Sequence, residues 1–165
     1  MELSEEDKDV LEQYCEENHC IKSLIEAATD MGYTTVDEIT DWLDSGDYTI
    51  IFADNSDYDL GAECIAEMGM PQDMWRYFDE DAYRRDLDME YYSEQEEDES
   101  DEDFEAREES EKESYMEEIL DQVESGHADQ EFLERYFDYE AFGRDLRIGD
   151  GYCYYAEDNC WICTY

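Results

Sequence analysis

The chain of 165 residues carries 53 acidic side chains against 10 basic ones, a formal charge of −43 at neutral pH. That sign excludes direct binding to DNA, which requires cationic contacts to phosphate, and the self-repulsion opposes any compact state. A hydrophobic content of 41%, with 15 tyrosines, 6 phenylalanines, 3 tryptophans and a single proline, still provides for a core, so a folded chain under electrostatic stress is expected rather than a disordered one.

Ser4 and Asp7 have the spacing of a capping box, and Val10, Leu11, Tyr14 and Cys15 follow at helical intervals, which predicts a helix over residues 5–17. A second helix is predicted over 21–31, with Leu24, Ile25 and Ala28 on one face and Gly32 as its stop. Thr35 and Glu38 open a third, on which Val36, Ile39, Trp42 and Leu43 form the apolar stripe up to Gly46. Residues 1–46 are therefore expected to form a helical bundle. A β-branched and aromatic run from Tyr48 to Phe52 reads as a strand, a polar turn at 54–57 leads into a helix over 59–68, and 89–92 reads as a further strand. These elements define a first α/β unit over 47–92.

Thirteen carboxylates with two basic side chains and one aromatic fill residues 94–113. Too little apolar surface remains to pack, so 93–112 is expected to be an acidic linker. Helical pattern begins near Phe104, strengthens through Tyr115, Met116, Ile119, Leu120 and Val123, and stops at Gly126. A short helix over 130–136, a turn at 149–151 and a hairpin of 152–155 with 161–165 complete a second unit over 113–165. The fold class is α+β: elongated, mostly helical, with two related helix-rich units that each carry a short strand or hairpin.

An internal repeat links the two units. Residues 76–87 and 135–146 agree at eight of twelve positions, a duplication by the ordinary criterion of self-similarity. Asp79 and Asp138 stand where an N-cap accepts from the first turn, while Phe78 with Tyr83 and Phe137 with Phe142 occupy the two places of a hydrophobic staple. Tyr77 and Tyr136 precede each copy's phenylalanine, and the pairs Arg85-Asp86 and Arg144-Asp145 put an arginine fork beside a carboxylate. All these residues are assigned a structural role.

Catalytic chemistry has little to stand on. The two histidines, His19 and His127, lie beside no nucleophile elbow, and among so many acids a carboxylate pair at a useful separation arises by chance. No catalytic residue is nominated. Cys160 and Cys163 have metal-type spacing, with Cys153, Cys15, His19 and Cys20 as further soft ligands, but a second such pair is missing and the strand would point the two thiols to opposite faces. The loop at 54–59 lacks the glycine and glutamate of a calcium loop. No metal and no cofactor are expected, and the six cysteines are expected to be free thiols. No stretch reaches the ~20 apolar residues of a membrane span, and the N-terminus lacks a secretion signal's pattern, so the chain is expected to act in the cytoplasm where it is made, without membrane or nucleic-acid partners.

What remains is the charge itself. Duplex DNA carries one charge per ~1.7 Å of axis, so the net charge matches that on roughly 70 Å of duplex, whereas a compact body of this length has a radius of gyration near ~15 Å. Carboxylates so dense can occupy a cationic DNA channel in place of phosphates. The carboxylates nominated for this contact are Asp44, Asp47, Asp54, Asp57 and Asp59 in one group, and Glu94, Glu96, Glu97, Asp98, Glu99, Asp101, Glu102, Asp103, Glu105, Glu108 and Glu109 in another. A salt-adapted acidic surface and an acidic chaperone of basic proteins are the competing readings.

The run Tyr136-Phe137-Asp138-Tyr139-Glu140-Ala141-Phe142-Gly143-Arg144-Asp145-Leu146 resembles the C-terminal segment of the ArdA antirestriction family, and a looser likeness extends from Tyr77 upstream. The resemblance implies an acidic, often dimeric α/β protein that imitates B-form DNA and occupies the DNA site of type I restriction–modification enzymes in a bacterial host, encoded by a phage or mobile element. An anti-CRISPR or other anti-defence mimic is the alternative within that class. The family's usual N-terminal domain is not visible here; the chain instead repeats the C-terminal unit.

Overall fold

The computed structural model describes residues 3–91 and 94–165. Its elements are α1 (Glu5–Asn18), α2 (Ser23–Asp30), α3 (Val36–Ser45), β1 (Tyr48–Ile51), α4 (Asp57–Met68), α5 (Glu80–Glu90), α6 (Asp101–Glu124), α7 (Gln130–Arg135), α8 (Tyr139–Asp145), β2 (Cys153–Tyr155) and β3 (Cys160–Thr164). The class is α+β and mostly helical. Two units divide the chain, one of residues 1–69 with 139–165 and the other of 70–138.

In the first unit the local signals act as expected. Both capping boxes form, with Ser4 and Thr35 each accepting from the third backbone N–H while Asp7 and Glu38 reach back. Thr34 and Thr35 donate to Glu38 and hold its carboxyl below the usual glutamate range. Helix α2 begins at Ser23, and Lys22 before it offers no side-chain cap. Asp158, from the turn between β2 and β3, fills that role by accepting the Ser23 N–H at 2.8 Å. Leu11, Leu24, Ala28 and Ile39 are fully enclosed, with Trp42, Tyr155, Cys160 and Ile162 in the same core.

The sheet order is β1-β3-β2, antiparallel throughout, with Ile51 opposite Trp161 and Tyr155 opposite Cys160. Cys160, Trp161, Ile162 and Cys163 are all buried, as a central strand covered on both faces requires. The strand expected over 48–52 and the hairpin expected from 152–155 with 161–165 both form, and only the further strand expected over 89–92 is corrected. Strand β1 leaves its own segment to pair with the chain's last strand, and residues 89–91 continue or end α5 instead of making a strand; Tyr92 lies outside the described residues. The reason is burial, because a lone four-residue strand leaves its backbone groups unpaired, while pairing with β3 satisfies them and covers apolar side chains.

Helices α4 and α8 meet at backbone contact. A Cβ on Gly61 would stand 2.2 Å from the Tyr139 carbonyl oxygen, and one on Gly143 only 1.7 Å from that of Asp57. Arg147 locks the same crossing through a two-pronged bond to Asp57, at 2.7 and 3.1 Å.

The second unit is built on the repeat. Phe78 and Phe137 form an antiparallel bridge; the Asp79 N–H donates to the Tyr136 carbonyl and the Asp138 N–H to the Tyr77 carbonyl, each at 2.6 Å. The two copies thus pair reciprocally. Phe78 packs against Tyr83 as the staple requires, with tilted rings 6.1 Å between centres, and Asp79 caps Ala82 at 2.8 Å. Phe132 and Tyr136 close the aromatic cluster. The expected partners of the arginine forks differ. Asp86 is held not by its neighbour Arg85 but by Arg135 of the other copy, at 2.7 Å, and by the Tyr136 hydroxyl at 2.9 Å, because side chains adjacent on a helix point apart. In the other copy Arg144 is exposed, and Arg147, three residues on, grips Asp57.

The expected linker over 93–112 is helical from Asp101 onward, and the unit boundaries fall at 69/70 and 138/139. Ser93 lies outside the described residues. Composition argued against packing, and α6 indeed buries only Val123; a helix needs little burial when its backbone bonds are internal and its flank is held by ion pairs.

Candidate functional site

Helix α6 starts at Ser100, whose hydroxyl accepts the Asp103 N–H at 3.2 Å, with Asp101, Glu102 and Asp103 in the first turn where the helix dipole favours them. Over 24 residues it rises about 36 Å. Twelve carboxylates against Arg107 and Lys112 leave ten net charges on it, one per ~3.6 Å, close to the ~3.4 Å between successive charges on one strand of DNA.

The cations mark the inner side of this helix. Arg107 is half-buried and donates to both Glu99 oxygens, at 2.8 and 2.9 Å, to the Glu94 carbonyl at 3.1 Å and to Glu111 at 3.3 Å. It ties segment 94–99 back onto the helix. The arginine holds the Glu99 carboxyl below the usual glutamate range, and Glu111 is held low by the Tyr91 hydroxyl first and Arg107 second. Lys112 reaches Asp88 at 3.0 Å and Glu108 at 3.8 Å, and Arg84 of α5 reaches Glu109 at 2.7 Å.

Glu105, Glu109, Glu113, Glu117 and Asp121 recur every fourth residue, and all five are exposed, Glu109 with Arg84 beside it. They form one ridge of the helix with ~6 Å of rise between members. Like charges at this spacing destabilise a helix by roughly 0.2–0.5 kcal/mol per pair. Arg84 offsets the two pairs that include Glu109, and the pairs of Glu113 with Glu117 and of Glu117 with Asp121 still oppose folding, so the ridge is not explained by stability.

The two nominated groups of carboxylates fare differently. None of the sixteen is buried, yet those of the first unit serve local structure. Asp44 accepts the Tyr14 hydroxyl, Asp54 accepts Asn159 at 3.0 Å, Asp59 pairs with Ser56 at the α4 cap, and Asp57 holds Arg147, which keeps its carboxyl below the usual aspartate range. Asp47 is exposed, and its carbonyl accepts the Tyr165 N–H at 3.1 Å. In the second unit Glu94, Glu96, Glu97, Asp98, Asp101, Glu102, Asp103, Glu105 and Glu109 are exposed, while Glu99 and Glu108 are half-buried. The continuation of the ridge through Glu113, Glu117 and Asp121 was not nominated, although the four-residue interval is visible in the sequence. Arg107 was missed for a physical reason: one arginine among many acids does not announce which of them it grips.

Among the described residues no group of three or more histidines, cysteines or carboxylates is placed to hold a metal ion, and no helix is long and apolar enough to cross a membrane. All six thiols are free. His127 faces the Ser125 hydroxyl at 2.9 Å on an exposed surface, and His19 ends α1. Comparison with family models, curated proteins and solved structures found no match.

Proposed function

We propose that the protein is a DNA-mimic inhibitor that occupies the DNA-binding channel of a bacterial defence enzyme, a type I restriction–modification enzyme first. The observation that carries this reading is helix α6, whose net charge is spaced close to that of one DNA strand along its length and whose ridge of exposed carboxylates persists against its own repulsion. The resemblance of residues 136–146 to the ArdA family supports the choice of target. In this mechanism the ridge takes the lysines and arginines that otherwise meet phosphates and releases the channel's bound anions as DNA does, so affinity falls steeply with salt. No bond is made or broken.

The test is competition between this protein and duplex DNA for a purified type I enzyme at two salt concentrations. Mutual exclusion that weakens at high salt is expected. Simultaneous binding of both, or equal affinity for unrelated basic proteins such as histones, contradicts the reading and favours an acidic chaperone.

A further inference from the structure

Two of the thiols close one helix ending. Helix α1 ends with His19 in the left-handed region (φ 58°, ψ 31°), and the Cys20 N–H returns to the Cys15 carbonyl at 2.9 Å. This is the six-to-one bond of a Schellman ending, which brings together the side chains of its first and last residues. Here both are cysteines. Cys15 is buried, and its thiol is pushed up to about 12, by burial first and by the adjoining Cys20 sulfur second. Cys20 is half-buried, with its thiol in weak contact with the Asn18 carbonyl at 3.9 Å and in hydrogen-bonding reach of Cys15. Cys64, Cys160 and Cys163 are enclosed; the exposed Cys153 lies opposite Ile162 across the sheet and near Cys163, with no helix ending to join them.

We propose that Cys15 and Cys20 form an oxidisable pair, a modification site whose co-reactant is a low-molecular-weight disulfide. Cys20, the less buried of the two, attacks as thiolate one sulfur of the small disulfide; that S–S bond breaks, one small thiol leaves, and a mixed disulfide remains on Cys20. Cys15 then gives its proton to water and attacks the Cys20 sulfur. The mixed disulfide breaks, the second small thiol leaves and the internal S–S bond forms, so two protein thiols are oxidised as one small disulfide is reduced to two thiols. Because burial holds the proton on Cys15, closure is the slow step and quickens about tenfold per pH unit.

The experiment incubates the full chain with glutathione disulfide at two pH values one unit apart, then alkylates the remaining thiols and digests it at glutamate. In the wild type, fragments cut at Glu16 or Glu17 should stay joined through Cys15 and Cys20, two hydrogens lighter, with the Cys20 adduct as a transient. Cys15→Ala should trap that adduct, and Cys20→Ser should leave Cys15 unmodified. A lasting Cys20 adduct in the wild type, a cross-link to another cysteine, or ready modification of Cys15 in Cys20→Ser overturns the proposal; the wild-type and Cys20→Ser readouts stand even where Cys15→Ala does not fold.

Discussion

The two units carry nearly equal charge on very unequal cores. Residues 70–138 hold 28 acids and six basic side chains, a net −22, while residues 1–69 with 139–165 hold 25 and four, a net −21, on 27 more residues. Among the described residues, 20 of the buried apolar side chains belong to the larger unit and five to the smaller, which are Tyr77, Val123, Leu133, Tyr136 and Phe137. Charge is therefore densest where burial is least. The difference teaches that the first unit is held by packing, whereas the second is held by paired repeat backbones, one aromatic cluster and a few cations set against a repelling helix.

The comparison can be broken most forcefully at the glycine crossing. Gly143→Ala or Gly61→Ala should cost at least ~3 kcal/mol, since each Cβ meets backbone rather than a yielding side chain, and chemical denaturation of either variant checks it. A smaller loss would mean that α4 and α8 separate easily and that packing does not dominate the first unit.

Alkaline pH should strike the first unit harder. Its Tyr14, Cys15 and Cys64 are pushed up to about 12, 12 and 11, and Tyr152 and Tyr155 are raised by burial; in the second unit Tyr136 is pushed up to about 12 and Tyr83 is raised. A group raised in the folded state stabilises below its ordinary value and loses that contribution as pH climbs toward the folded one. Stability should thus fall from about pH 9, where thiols ordinarily titrate, through 10 for phenols, toward 12. Hydrogen exchange followed by unit would show it. The acid limb has the opposite sign. Glu99, Glu111, Glu38 and Asp57 are held low, so their contribution is present above their ordinary values near 4 and is lost as pH falls through the lower folded ones. Arg107→Ala should flatten that limb in the second unit, where Glu99 and Glu111 lie.

A milder contrast is salt. Screening at ~10 Å in 0.1 M salt should slow exchange in α6 more than in α1 to α3. The smallest effect expected is local. Asp158→Ala should destabilise the first unit by about 1 kcal/mol through loss of the α2 cap, leaving exchange in 70–138 unchanged.

The local elements were legible because their signals are local. Ser4 with Asp7, Thr35 with Glu38, the Phe78–Tyr83 staple and the Asp79 cap each lie within a few residues, and all form. Long-range pairings were not legible. Nothing near Tyr48 says that its strand pairs with Thr164, and nothing in the second copy alone says that Arg135 grips Asp86. Gly143, where the first copy has Arg84, was a visible departure whose meaning needed the α4 backbone 1.7 Å from a would-be Cβ. The exposed acids of 94–109 could be named from composition, but their helical order could not, because the composition that makes them candidates also argues against structure.

The central claim is that the α6 ridge is kept for a partner at the expense of stability. Glu113→Gln, Glu117→Gln and Asp121→Asn combined remove three of its four like-charge pairs. Denaturation of this variant, set beside its competition with DNA for a type I restriction–modification enzyme, tests the claim most directly. The account predicts a fold more stable by about 1 kcal/mol, together with weaker inhibition and a salt dependence shallower by about three ions. Undiminished inhibition by the variant, or a loss of stability, would contradict it.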